Sequence, residues 1–236
     1  MSSQPQMQRK LDAVQVAEQA VPPLATRQNQ NGHAKIVILD PGRSTMRELQ
    51  KLTGSLFLSP GKSSPRLVAF AGVESGECCS KMTVQVAVAL AQSGTARVCL
   101  VDAYSHSPSL SEFFGFGSPC GLTDARQLGG SILEYTIPVS DGILSLLPWG
   151  GLDTEAVTRL PLDLWMAWFD ELRAGFDYVL VNGPPLNQFA DGIAMGQLSD
   201  GMVPVANRKS TQPVTVLREL ERLRDSHVRI CGAILD

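Results

Sequence analysis

One stretch limits what this chain can become. Leu67 to Ala71 is a short apolar run and reads as a buried strand. A loop with Gly72 and Gly76 follows, and then an Ala/Val-rich segment reads as a helix running to Ser93 and Gly94. Strand, glycine loop and helix, in that order, is the layout of a phosphate-binding loop. Backbone N–H groups and a helix N-terminus there hold phosphate oxygens. The usual loop places a lysine directly before its serine or threonine, where it neutralises the terminal phosphates. Here Gly76, Glu77, Cys78, Cys79, Ser80 and Lys81 follow one another, so a cysteine stands at the lysine's place. The layout predicts a nucleotide site, and the residue types predict that its chemistry has been removed.

At 236 residues the chain suits one domain with a sizeable core. Residues 1–33 are polar and rich in Gln, Ser, Asn and Pro, and read as a disordered tail; 34–236 read as the folded domain. A net charge of −3 gives no reason to expect nucleic acid as a partner. No apolar run reaches the roughly 18 residues of a membrane span, and the N-terminus has no signal-peptide pattern. Five cysteines without metal-type spacing fit reduced thiols. A cytoplasmic protein is the expectation.

Along the chain, Ile36 to Leu39 reads as a strand, and Ser44 as the cap of a helix to Leu58 with Met46, Leu49, Leu52 and Leu56 on one face. Gly61, Lys62 and Ser63 imitate the end of a phosphate loop, but Leu56 stands where its first glycine belongs, and Pro60 and Pro65 flank a plain turn. Further strands are expected at Arg97–Asp102, Ile143–Leu147, Asp177–Asn182, Gly201–Ala206 and Arg229–Leu235. Helices are expected at Ser109–Phe114, Leu122–Leu128, Asp153–Arg159, Leu162–Ala174, Ala190–Leu198 and Thr211–Ser226, the last with Val214, Leu217, Leu220 and Leu223 on one face. Continuous apolar strands alternating with helices predict an α/β fold, a parallel central sheet flanked by helices. Its ligands bind at the carboxyl ends of the strands, where Gly76, Asp102 and Asn182 all fall.

With these stations placed, the chain resembles the bacterial tyrosine kinase domain of exopolysaccharide synthesis, within the deviant P-loop ATPase group. The resemblance covers residues 43–235. It rests on Met46 to Leu49 with Leu56 to Leu58, Val86 to Gly94, Cys99 to Ala103 with Ser107 to Leu110, Gly121 to Asp124, Leu147 to Gly150, and Tyr178 to Pro185, in that order. It implies a P-loop NTPase-like fold of the deviant Walker type, and ring assembly through helix 44–58. Its ligand would be ATP or ADP with magnesium, held at Gly76, Glu77, Cys78, Cys79, Ser80, Lys81, Asp102 and Asn182. Ser80 and Asp102 would be the magnesium side, and Asp102 the catalytic acid if the site is active. Its partner would be a membrane polysaccharide co-polymerase or chain-length regulator, or an active kinase homologue, which would bring the protein to the inner face of the membrane.

The departures are specific. Cys78 and Cys79 replace a glycine and the catalytic lysine. Lys81 lies two positions further on, and about 200° around a helix. Tyr104 stands where a second acid belongs, and Asn182 where a magnesium-supporting carboxylate belongs, an amide being a poorer ligand for a hard dication. The expectation is a catalytically degenerate member acting as regulator or scaffold. The alternatives are a weak ATP-dependent tyrosine autokinase and a positioning ATPase of the same fold. Cys78 and Cys79 admit two readings, reactive thiols at a helix N-terminus beside Lys81 or two small side chains filling an unused loop.

Overall fold

The computed structural model describes residues 24–26, 35–39, 46–57, 64–76, 78–94, 96–140, 143–151 and 160–236. Ser44, the turn at 61–63, Glu77 and the helix expected over 153–159 lie outside them.

Nine strands form one sheet: β1 (Leu24–Thr26), β2 (Lys35–Leu39), β3 (Leu67–Gly72), β4 (Val98–Asp102), β5 (Ile137–Ser140), β6 (Leu144–Leu147), β7 (Tyr178–Gly183), β8 (Gly201–Ala206) and β9 (Gly232–Leu235). Their order is β1-β2-β9-β8-β3-β7-β4-β6-β5. Every pairing from β2 to β6 is parallel. The central strands β3, β4 and β8 are buried along their whole length, which is why they read as unbroken apolar runs.

Two edges depart from the expected parallel sheet. β1 lies within the segment read as a tail and pairs antiparallel with β2, with Leu24 opposite Leu39. β5 pairs antiparallel with β6. Only residues 141–143 separate those two strands, too few for a parallel crossover. Pro138 hides β5 from a sequence reading, and an edge strand tolerates it.

The helices are α1 (Met46–Phe57), α2 (Cys78–Gln92), α3 (Leu110–Phe113), α4 (Leu122–Leu128), α5 (Leu162–Gly175), α6 (Ala190–Leu198) and α7 (Pro213–Asp225), with a 3₁₀ turn at Ile132–Tyr135. Alternation along β3 sorts the core into two layers. Val68 and Phe70 face α1 and α2; Leu67, Ala69 and Ala71 join the layer of Trp165, Trp168, Phe169 and Leu172 from α5. α2 is buried from Cys79 to Ala91 except at Lys81, because the sheet covers one side and α1 the other. Leu49, Leu52 and Leu56 of α1 are therefore engaged inside the chain, with Gln50 and Lys51 outward.

α7 differs from its expected packing. Leu223 is fully buried, but Val214 and Leu217 are 66% and 61% exposed. The helix instead turns Glu219 inward, where Arg218 and Arg222 pair with its carboxylate. Arg222 also donates to the Leu186 carbonyl, which ties the helix to the loop after β7.

The amino ends of the strands are locked by a polar clamp. Asp200 accepts from the N–H groups of Arg66 (2.7 Å) and Leu67 (2.8 Å) and from Arg173 Nη1 (2.9 Å). Arg66 in turn donates to the carbonyls of Asp177, Arg173 and Phe176. The clamp joins β3, the start of β8 and the end of α5, and leaves the opposite rim to the site. Hydrogen bonds to a charged group contribute about 1.5–3 kcal/mol each, so Asp200→Ala is expected to cost about 2 kcal/mol and lower Tm by about 4–8 °C, read by thermal unfolding.

Candidate functional site: a closed loop and a bridged carboxylate

β3 ends at Gly72, and the chain turns sharply there. A Cβ on Gly72 would stand 2.6 Å from the Glu74 carbonyl oxygen, so glycine is required. The Gly72 carbonyl accepts from the Leu186 N–H at 2.8 Å, which brings the loop after β7 against this one. Gly76 has a φ of 152°, a conformation side chains disfavour. α2 then starts at Cys78 and carries Ser80 in its first turn.

β7 lies between β3 and β4, and its register places Asn182 beside Phe70 on one side and Asp102 on the other. Three predicted residues therefore meet. Asn182 Nδ2 donates to Ser80 Oγ and to Asp102 Oδ1, both at 3.2 Å. Asp102 Oδ2 accepts from the Leu110 N–H at 3.0 Å, and the Tyr104 N–H lies 3.5 Å from Oδ1. Asp102 is 0% exposed, Asn182 1% and Ser80 5%, so water does not compete for these contacts. Asn182 Oδ1 is buried and has no hydrogen-bond donor among the described residues. Burial pushes the Asp102 carboxyl up to about 6, against the lowering effect of the Leu110 N–H, the Asn182 amide and the Tyr104 N–H.

The remaining predicted residues are arranged around a small space. Gly72, Glu74, Gly76, Cys79, Ser80 and Asn182 are among the walls of a cavity of about 10 Å³, room for about one water molecule. Cys79 is buried, and burial, then the neighbouring Cys78, holds its thiol well above the ordinary range. Burial likewise raises Cys78, with Asp236 adding to the effect. The activated thiolate admitted by the sequence is thus reversed: desolvation outweighs the helix N-terminus. Lys81 is half-buried and is not among the cavity walls.

Sequence reading missed the aromatic cover of this rim. Tyr104 and Phe189 meet edge to face at 6.2 Å, and His106 lies 4.2 Å from Phe189 between ring centroids. His106 follows β4 closely in the chain, but nothing in the sequence marks Phe189 as its partner. Gln188 Nε2 also reaches Ser75 Oγ at 3.2 Å. Among the described residues no group of His, Cys, Asp and Glu is arranged to hold a metal ion, and no helix is long and apolar enough to cross a membrane.

The chain is similar to known proteins. Tyrosine-protein kinase CpsD of Streptococcus agalactiae is 25% identical over 176 residues, covering 72% of this chain and 75% of that protein. Tyrosine-protein kinase YwqD of Bacillus subtilis is 26% identical over 165 residues, 68% of each chain. Among solved structures, the kinase domain of the Escherichia coli tyrosine kinase ETK superposes with a TM-score of 0.72 at 18% identity, over 92% of this chain and 88% of that one. The chain is similar to bacterial tyrosine kinases in sequence, and its parallel α/β architecture is the P-loop fold of their kinase domains. No family model matches the chain. In this chain Asn182 on β7 lies between the loop strand β3 and Asp102 on β4.

The raised Asp102 carboxyl has a consequence for stability. Its ordinary value is about 3.9 and its folded value about 6, so between these the folded state binds more protons than the unfolded. Stability from this group is therefore highest below about pH 4 and falls as pH rises to 6, by about 2–3 kcal/mol, with no further loss above. Asp102→Asn is expected to remove that slope. Urea unfolding of both proteins from pH 4 to 7 reads it; parallel stability curves would contradict the assignment.

Proposed function

We propose that this kinase-like domain is catalytically silent and acts as a regulator or scaffold in capsule or exopolysaccharide synthesis or export. One observation carries the reading: the Asn182 amide occupies the inner oxygens of Ser80 and Asp102, the groups that would face magnesium. An amide N–H₂ in that position replaces a cation with two hydrogen bonds. Phosphoryl transfer is mostly positioning and charge neutralisation. At this loop the lysine position holds a neutral buried thiol, and one carboxylate position holds an amide. Each lost charged contact costs about two to three powers of ten in rate. A magnesium nucleotide is a poor match for these residues and for a cavity of about 10 Å³.

The partner in this reading is a membrane polysaccharide co-polymerase or chain-length regulator, or an active kinase homologue. Such a partner would hold the domain at the inner face of the membrane. The relatives named above are tyrosine kinases, which supports the kinase-like ancestry and leaves activity to the residues of this chain.

A second reading has one observation in its favour. A carboxyl raised to about 6 is suited to accept a proton near neutral pH, so Asp102 is a competent general base for a weak tyrosine autokinase. Calorimetric titration with magnesium ATP and ADP separates the two. The wild type is expected to give no saturable heat. The Cys78→Gly, Cys79→Lys, Asn182→Asp triple variant, which restores the charged loop, is expected to bind. Binding by the wild type, with ATP turnover abolished in Asp102→Ala, would overturn the silent reading.

A further inference from the structure

A larger space lies beside the closed loop. It measures about 360 Å³ and opens where β4 and β7 end, bordered by Ala103 and Pro184. That rim is where sheets of this kind bind ligands. Tyr104 belongs to the wall of the loop cavity and Phe189 to the wall of this one, so the two rings that meet at 6.2 Å mark the partition. The volume falls within the range of small-molecule sites, about 300–1,000 Å³.

The walls state what would fill it. Trp149, Trp165, Phe189 and His106 present four flat rings from four segments: the loop after β6, α5, the approach to α6 and the loop after β4. Trp165 is buried and Trp149 half-buried, so both rings are fixed by packing. Leu160 and Met195 supply much of the apolar remainder. Flat aromatic walls favour a flat aromatic guest, through offset and edge contacts beyond simple area burial. A cavity of about 150 Å³ holds a single benzene ring, so this one has room for two fused rings. The polar groups converge at one place, where Ser105 Oγ and His106 Nδ1 are bonded at 3.0 Å, and Nε2 is the second nitrogen of that ring. Among the described residues the one carboxylate on the wall is Asp191, in the first turn of α6, where negative charge complements the helix dipole. An anionic guest, a nucleotide phosphate included, is therefore disfavoured here.

We propose that this pocket binds a small bicyclic aromatic molecule carrying one hydroxyl or amino group, with the ring between Trp149, Trp165 and Phe189 and the polar group at His106. A free metabolite and a tryptophan side chain of a partner share this chemistry. The proposal is independent of whether the loop holds nucleotide, and the titrations are run with and without magnesium ATP to keep the two questions apart.

The probes are 5-hydroxyindole, N-acetyltryptophanamide and, as a non-aromatic control, cyclohexanol, each titrated calorimetrically into the full chain. Saturable binding of 5-hydroxyindole is expected with a Kd below about 1 mM. Binding of 5-hydroxyindole alone assigns the pocket to a free molecule; binding of both indoles assigns it to the ring itself, from either source. Ala194→Phe fills the pocket from α6 and is expected to weaken binding at least about tenfold. His106→Ala, at an exposed residue, is expected to weaken it about fivefold and serves if the first variant fails to fold. No saturable heat from either indole, equal heat from cyclohexanol, or unchanged binding in a folded Ala194→Phe or in His106→Ala would overturn the proposal.

Discussion

The amide of Asn182 is the contact on which this rim depends. Two buried oxygens, of Ser80 and Asp102, both accept from the Asn182 amide at the end of β7. Left alone, a buried carboxylate there would be costly. A cation would compensate it; so does an N–H₂ group donating to both. The second solution keeps the strand ends and the loop together without any ligand. It also leaves Asn182 Oδ1 buried without a donor among the described residues, and burial holds the Asp102 carboxyl up at about 6. Both are local costs of burying polar side chains at the strand ends.

The consequences spread outward along the sheet. Because β7 is the strand between β3 and β4, Asn182 is set between the loop after Gly72 on one side and the loop after Asp102 on the other. The loop after β7 is tied to Gly72 through Leu186 N–H, and Arg222 of α7 reaches the Leu186 carbonyl. The closed loop cavity and the open aromatic pocket are neighbours, with Tyr104 on the wall of the first meeting Phe189 on the wall of the second. On the opposite face of the sheet ends, Asp200 fixes the strand starts, so the two rims differ in kind: one is clamped by charge, the other is bridged by an amide.

Much of this was legible in the sequence. The buried parallel strands announce themselves as apolar runs, and Leu122–Leu128, Ala190–Leu198 and Gly201–Ala206 fall where their patterns place them. The meeting of Asp102 and Asn182 follows from their strand ends, and Ser80 joins them from the first turn of α2, a placement that only the resemblance implied. What was not legible depends on tertiary context. Pro138 conceals an edge strand because an edge needs fewer N–H donors. Val214 and Leu217 fit a buried stripe, yet Glu219 turns inward because Arg218 and Arg222 satisfy it. The thiols of Cys78 and Cys79 sit at a helix N-terminus, but desolvation outweighs the dipole, and only burial reveals that. The aromatic pocket joins rings from four separate segments, and no local pattern connects Trp149 to Phe189.

The most direct measurement is the melting temperature of the wild type and of Asn182→Asp at pH 7.5, each with and without magnesium. If the amide stands in for a cation, magnesium leaves the wild type unchanged. Asn182→Asp sets a second carboxylate against Asp102 and loses about 2 kcal/mol, about 4–8 °C, in metal-free buffer, and magnesium restores part of it. A wild-type melting temperature that rises with magnesium, or a metal-free Asn182→Asp as stable as the wild type, would contradict it.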